Sequence, residues 1–175
     1  DHGDSFKSVA DFPYYINQVR SVTGNGFLAL YGREITVGNL RDNDGNLAGN
    51  NCHANAMSAL TEPFIDGTSY SDNQVSSVLQ ILKNEDAITI WNHPRTCPQW
   101  GSRVQEFSGI EIFNEYLGNS DLGYYLSAVR DGWHGMVIGG MDLHYKAQFE
   151  TKITTFIFAN SNNATDVLNA LRNRK

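Results

Sequence analysis

Apolar positions along the chain fall into short clusters whose spacing alternates between helix-like and strand-like. Residues 6–22 place Phe6, Val9, Ile16 and Val19 near helical spacing, with Pro13 as a kink or restart. Residues 27–31 (Phe-Leu-Ala-Leu-Tyr) predict a buried strand that runs through Gly32 into residues 34–37. The Asn-, Asp- and Gly-rich stretch 38–51 predicts loop, and a short segment near His53–Leu60 follows. Val75, Val78, Leu79 and Leu82 mark a helix that Ser71 or Asp72 could cap. Buried strands are predicted at 87–91, 109–113, 136–138 and 154–159, with helices over 122–129 and 164–173. Strands alternating with helices argue for an α/β protein built on a parallel sheet or barrel.

The polar residues interrupting this pattern share one location. Glu34, His93, Asn114, Asp142 and His144 all fall at or just past the C-terminal ends of predicted strands. In parallel α/β architectures that rim is where loops converge on a rigid frame and sites are built.

Composition narrows the possibilities. A chain of 175 residues with 41% apolar content predicts one soluble globular domain. No run of eighteen apolar residues occurs, so no spanning helix is expected. The net charge of −6 and 13 basic residues leave no stripe for a nucleic-acid groove. The 18 asparagines and scarce lysines lean toward an extracytoplasmic protein. Two cysteines, Cys52 and Cys97, are too few for a disulfide framework; one bridge and two free thiols both remain open. Gly-x-Ser-x-Gly, His-Glu-x-x-His and Walker motifs do not occur. Asp42-Asn43-Asp44-Gly45 reads as a turn, since a calcium loop's bidentate glutamate is missing.

Five histidines remain, and most stand beside carboxylates or at strand ends. Imidazole and carboxylate suit zinc, manganese and iron(II) without any thiolate. In Asp142-Leu143-His144 the two polar side chains point the same way on extended backbone, so both can reach one cation or two adjacent ones. A carboxylate such as Glu34 could bridge two cations, and a pair of metals can activate water at neutral pH. His134 sits before a strand, at the opposite rim, and reads as structural.

These motifs, in this order, resemble the PHP (polymerase and histidinol phosphatase) family of metal-dependent hydrolases. Asp1-His2 is similar to the end of its Thr-Asp-His motif, and Glu34 in Gly32-Arg33-Glu34-Ile35 to its glutamate after a strand. His53 in Cys52-His53-Ala54-Asn55-Ala56 and His93 in Asn92-His93-Pro94 match its central histidines. Residues 109–114 resemble its Ile-Glu-(apolar)-Asn strand, and Gly140-Met141-Asp142-Leu143-His144 its Gly-Ser-Asp-Ala-His motif. The closing stretch from Ala159-Asn160 to Arg172 resembles the family's last strand and helix, and the Glu34 loop its carbaryl-hydrolase-like branch.

The resemblance implies a distorted (β/α)7 barrel and a site of up to three divalent cations. His2, Glu34, His53, His93, Asp142 and His144 would be the ligands, with Asp142 and His144 also candidates for proton transfer. A metal-activated hydroxide would attack a phosphoester of a small molecule. A carboxylic ester or amide is the second substrate class, and an inactive PHP-like binding module the alternative. Arg95, Trp100 and Asn114 are the candidates for binding substrate; core packing for Trp91 and a solvated Arg95 are equally open. The family also opens with a strand bearing His-x-His, which this sequence lacks. The expectation is therefore a single PHP-like domain over residues 1–175 without its first strand, cut from a longer protein.

Overall fold

The computed structural model describes residues 11–37, 52–58, 74–114, 119–140, 142, 153 and 155–174. Helix α1 (Asp11–Ser21) carries Pro13 in its first turn, where a missing N–H costs nothing. Strands β1 (Gly32–Val37) and β2 (Cys52–Met57) pair antiparallel, with Gly32 opposite Met57 and Val37 opposite Cys52. Helix α2 (Val75–Asn84) buries Val75, Val78, Leu79 and Leu82, the stripe expected from their spacing. Each such side chain contributes roughly 1.5–3 kcal/mol when buried. Strand β3 (Ile88–Trp91) pairs antiparallel with β2 and parallel with β4 (Gly109–Asn114). Two 3₁₀ segments, Pro94–Thr96 and Pro98–Glu106, connect them. The two-residue β5 (Asn119–Ser120), helix α3 (Leu122–Arg130), strand β6 (Met136–Gly140) and helix α4 (Ala164–Arg172) follow. Asn163 starts α4 by accepting the Asp166 N–H at 2.8 Å.

The sheet is open and mixed, in the order β1-β2-β3-β4, with β5 and β6 both pairing with β4. Gly109 is opposite Ile90 of β3 and Met136 of β6, so the two neighbours occupy opposite edges of β4. One face packs Ile35, Ala54, Trp91 and Ile110 under α2, the 3₁₀ segments and α3. The other packs Ile88, Ile90 and Met136 against Leu171 of α4.

This overturns the expected (β/α)7 barrel lacking its first strand. Such a barrel needs seven strands closed on themselves, whereas the six described here form an open sheet. The physical reason is the direction of β2. It runs antiparallel between β1 and β3, so only β3, β4 and β6 follow the parallel pattern that alternating elements suggested.

Two expected strands also differ. Residues 27–31 form no strand: Gly24 and Phe27 close a turn by exchanging both backbone bonds, and Phe27 is 61% exposed. β1 begins only at Gly32, where Met57 stands opposite. Residues 155–159 form no ladder, because the Thr155 hydroxyl engages both the N–H and the carbonyl of Gly139, at 2.9 and 3.1 Å. The loop expected at 38–51, with its Asp42–Gly45 turn, and the caps Ser71 and Asp72 lie outside the described residues. Among the described residues no helix is long and apolar enough to cross a membrane.

Candidate metal centre

The strand period of two separates core residues from chemistry. In β2, Cys52, Ala54 and Ala56 are buried while His53 and Asn55 point to the other face. In β1, Arg33 and Ile35 are buried and Glu34 and Thr36 share the face of His53. The register puts Glu34 opposite Asn55 and Thr36 opposite His53, making Glu34 and His53 diagonal neighbours. Because β2 runs backwards, its first residues lie at the finishing end of β3, where His93 emerges. The Asn92 N–H donates to the His53 carbonyl at 3.0 Å and holds the two segments together.

Three donor atoms meet there. His53 Nδ1 is 2.9 Å from Glu34 Oε1 and 3.2 Å from His93 Nε2. His93 Nε2 is 3.8 Å from the same Glu34 oxygen. Metal–nitrogen and metal–oxygen bonds of about 2.0–2.1 Å put neighbouring donors about 2.9–3.4 Å apart, for octahedral and tetrahedral angles respectively. The edges of this triangle span that range and slightly exceed it, so Glu34, His53 and His93 could hold one metal ion.

The neighbours orient the donors. The Thr96 hydroxyl donates to the His93 carbonyl at 3.0 Å, which leaves its oxygen to accept from His93 Nδ1 at 2.7 Å. That assignment puts the proton on Nδ1 and turns the Nε2 lone pair toward Glu34 and His53. The Asn92 amide donates to Glu34 Oε1 at 3.1 Å. His93 itself has φ 29°, a left-handed conformation that costs of order 1–3 kcal/mol for a side chain of this kind. The strain is offset by Glu111, whose Oε2 accepts the His93 N–H at 2.8 Å and an Asn114 amide proton at 3.1 Å. Gly140 makes room for that carboxylate, since a Cβ there would overlap Glu111 Oε1. Asn114 also reaches Asp142 Oδ2 at 3.4 Å, and Asp142 too has positive φ, at 47°.

Burial and charge oppose each other at His93. Burial disfavours its charged form, but the Glu34 hydrogen bond and the nearby charges of Glu111, Glu34 and Asp142 outweigh it and raise the imidazole above the usual histidine value. Burial pushes the Glu111 carboxyl above the ordinary carboxylate range, against the hydrogen bonds from His93 and Asn114.

The structure thus brings together Glu34, His53 and His93, with Asn114 and Asp142 at their edge. His2 and His144, the other expected ligands, lie outside the described residues. Arg95 donates from its backbone N–H and Nε to Asp121 Oδ1, at 3.2 and 3.1 Å, so its cation already has a carboxylate partner. Trp100 does not line the centre; it is 1% exposed and packs against Phe107 with ring centroids 5.2 Å apart. Asn114 is a buried bridge between carboxylates. His134 lies on the opposite rim, as expected, and its side chain is exposed there. Cys52 and Cys97 form a disulfide.

Four contributors were missed as functional groups: Asn92, Thr96, Glu111 and Asp121. Glu111 had a legible signal, a carboxylate inside an otherwise apolar strand. Asp121 carried no such signal; it precedes α3, makes no side-chain cap bond and serves Arg95 instead. No protein-family model matches this chain and no curated protein matches its sequence, so the PHP resemblance is carried by its motifs alone.

Proposed function

We propose that this chain carries the platform of a divalent-metal-dependent hydrolase acting on phosphoesters, with carboxylic esters or amides as the second substrate class. One observation supports the reading above others: Glu34, His53 and His93 present their donor atoms to one another at 2.9–3.8 Å, with the His93 lone pair aimed there by Thr96. Zinc, manganese and iron(II) all accept this nitrogen and oxygen set. His2, Asp142 and His144 would extend it toward a multinuclear site of up to three ions, with Asp142 or His144 moving protons. Glu34, His53 and His93 would hold a divalent cation that would acidify water to near-neutral pKa and offset charge developing at a phosphoryl or acyl centre. The protein's own part is orientation. Asn92 fixes the Glu34 oxygen, Thr96 and Glu111 fix His93, and Asn114 fixes Asp142.

The test strips the protein with a chelator, titrates zinc or manganese by calorimetry, and assays an aryl phosphate beside an aryl ester. The expected result is phosphate release that requires the metal and disappears in Asp142→Ala. Failure to bind either cation, or turnover unchanged by chelation, ends the reading.

A further inference from the structure

The one disulfide in the molecule joins the two histidine-bearing segments of the candidate centre. Cys52 immediately precedes His53 at the start of β2. Cys97 closes the 3₁₀ turn that begins at His93, and its N–H bonds back to the Pro94 carbonyl at 3.0 Å. The β2–β3 ladder ends at Ala54 opposite Trp91, short of both histidines. Beyond that point the backbone link between the segments is the Asn92-to-His53 hydrogen bond. The covalent bridge is a further tether, beside the Gln99 amide that reaches Cys52 Sγ at 2.9 Å. The two cysteines share the core face with Trp91 and Trp100, while the imidazoles face the other way, so the sulfurs are not candidate ligands.

We infer that the Cys52–Cys97 bond sets the metal affinity of this centre and makes it redox-sensitive, an inference that rests on the metal-site reading above. Oxidised, the bridge fixes the His93 turn against β2 and holds His53 Nδ1 and His93 Nε2 3.2 Å apart. A dithiol reductant transfers two electrons and two protons to the bridge; two protein thiols form and the reductant closes to a cyclic disulfide. Both cysteines are buried, at 2% and 0% exposure, so the reductant reaches them only as the turn opens. A metal ligated by both histidines holds that turn shut. Because the bridged form holds both histidines in place and the reduced form releases that constraint, reduction and metal binding also oppose each other at equilibrium, and that opposition is reciprocal by linkage.

The experiment uses manganese(II), which prefers nitrogen and oxygen donors and competes little for thiols. Free manganese is read by electron paramagnetic resonance for the oxidised protein, the dithiol-reduced protein and Cys52→Ala/Cys97→Ala. At least a tenfold weaker affinity is expected in the reduced protein and in the double variant, with native circular dichroism in all three. In dithiol buffers, saturating manganese should shift the cystine–thiol equilibrium of the wild type by the same factor. A tenfold shift corresponds to about 30 mV for this two-electron couple. Equal affinity in both redox states, or loss of native circular dichroism on reduction, overturns the redox inference and leaves the metal centre standing. If the oxidised protein binds no manganese, the same comparison is made with zinc, and failure to bind either cation overturns the metal reading itself.

Discussion

At the end of the sheet where β3, β4 and β6 finish, Glu34, Glu111 and two histidines interlock, and Glu111 and His93 are only 5% and 6% exposed. At the end where those strands begin, Lys83, Arg172, Arg174 and His134 line an open cleft with Asp86. The second end looks more like a binding site at first sight, since the chain carries a net charge of −6 and three of its 13 basic residues gather there. Its charges nevertheless have a local explanation. Lys83 and Arg172 sit in the last turns of α2 and α4, where a cation gains about 0.3–1 kcal/mol from the helix dipole. Arg172 also donates to the Asp86 carbonyl at 2.6 Å. The first end has no such account. Taking charges out of water costs several kcal/mol per ion, and here a buried carboxylate supports a strained histidine beside further carboxylates. The lesson is that cost, rather than charge density, marks the functional end.

The largest break in this comparison is His93→Ala against His134→Ala. Removing His93 deletes one of the three donors, so zinc affinity should fall by more than about a hundredfold, the upper range for losing a residue that merely orients a ligand. His134→Ala should bind zinc like the parent. Calorimetric titration of both proteins decides it, and equal losses would erase the distinction between the two rims.

A second pair compares arginines. Arg95→Ala strands the Asp121 carboxylate, which is 2% exposed, and breaking a buried pair this way costs about 3–5 kcal/mol. Arg95 is itself 26% exposed, which places the expected loss at the lower end, about 3 kcal/mol. Arg172→Ala at the other rim should cost about 1 kcal/mol or less. Urea denaturation at neutral pH measures both. Similar losses would show that Asp121 is adequately solvated without Arg95.

How much of this was legible in advance follows from the range of each signal. The α2 stripe was clear because helical burial repeats within four residues, and the strand-end positions of His93 and Asn114 were clear because apolar runs stop there. Glu34 and His53 were picked out as ligands, but their contact depends on a β1–β2 register and on β2 running backwards. Neither is written locally, because reversal is decided by which strand edge is available. The same limitation produced the barrel expectation: alternating elements announce parallel strands, and nothing within residues 52–57 announces the reverse. Arg95 was noticed, but its partner Asp121 lies 26 residues away and was invisible.

A smaller effect tests whether Glu111 supports the centre from behind. Gly140→Ala places a methyl against Glu111 Oε1, and overpacking of this kind costs about 1–3 kcal/mol. Displacing the carboxylate also releases the His93 N–H, so metal affinity should fall by about 10–100-fold. Gly140→Ala that retains parental metal affinity would show that the Glu111 bond to His93 is dispensable.

The smallest effect separates the rims by pH. His93 and Glu111 both titrate above their ordinary values in the folded, metal-free protein. A group with a raised folded pKa binds its proton more tightly when folded, so its stabilising contribution is complete below the unfolded pKa and lost as pH rises through the folded one. For His93 that loss runs upward from the ordinary histidine value of 6.5, and for Glu111 upward from the ordinary carboxylate value of 4.5. The metal-free protein should therefore melt higher as pH is lowered from 8 toward these values. A bound cation reverses the slope, because it needs the His93 nitrogen deprotonated and loses its hold as the proton competes. Melting curves with and without zinc across this interval should cross or converge on the acid side, and His134→Ala should leave both slopes in place. Parallel curves would mean that the cation does not compete with the His93 proton, and would move the metal away from this triangle.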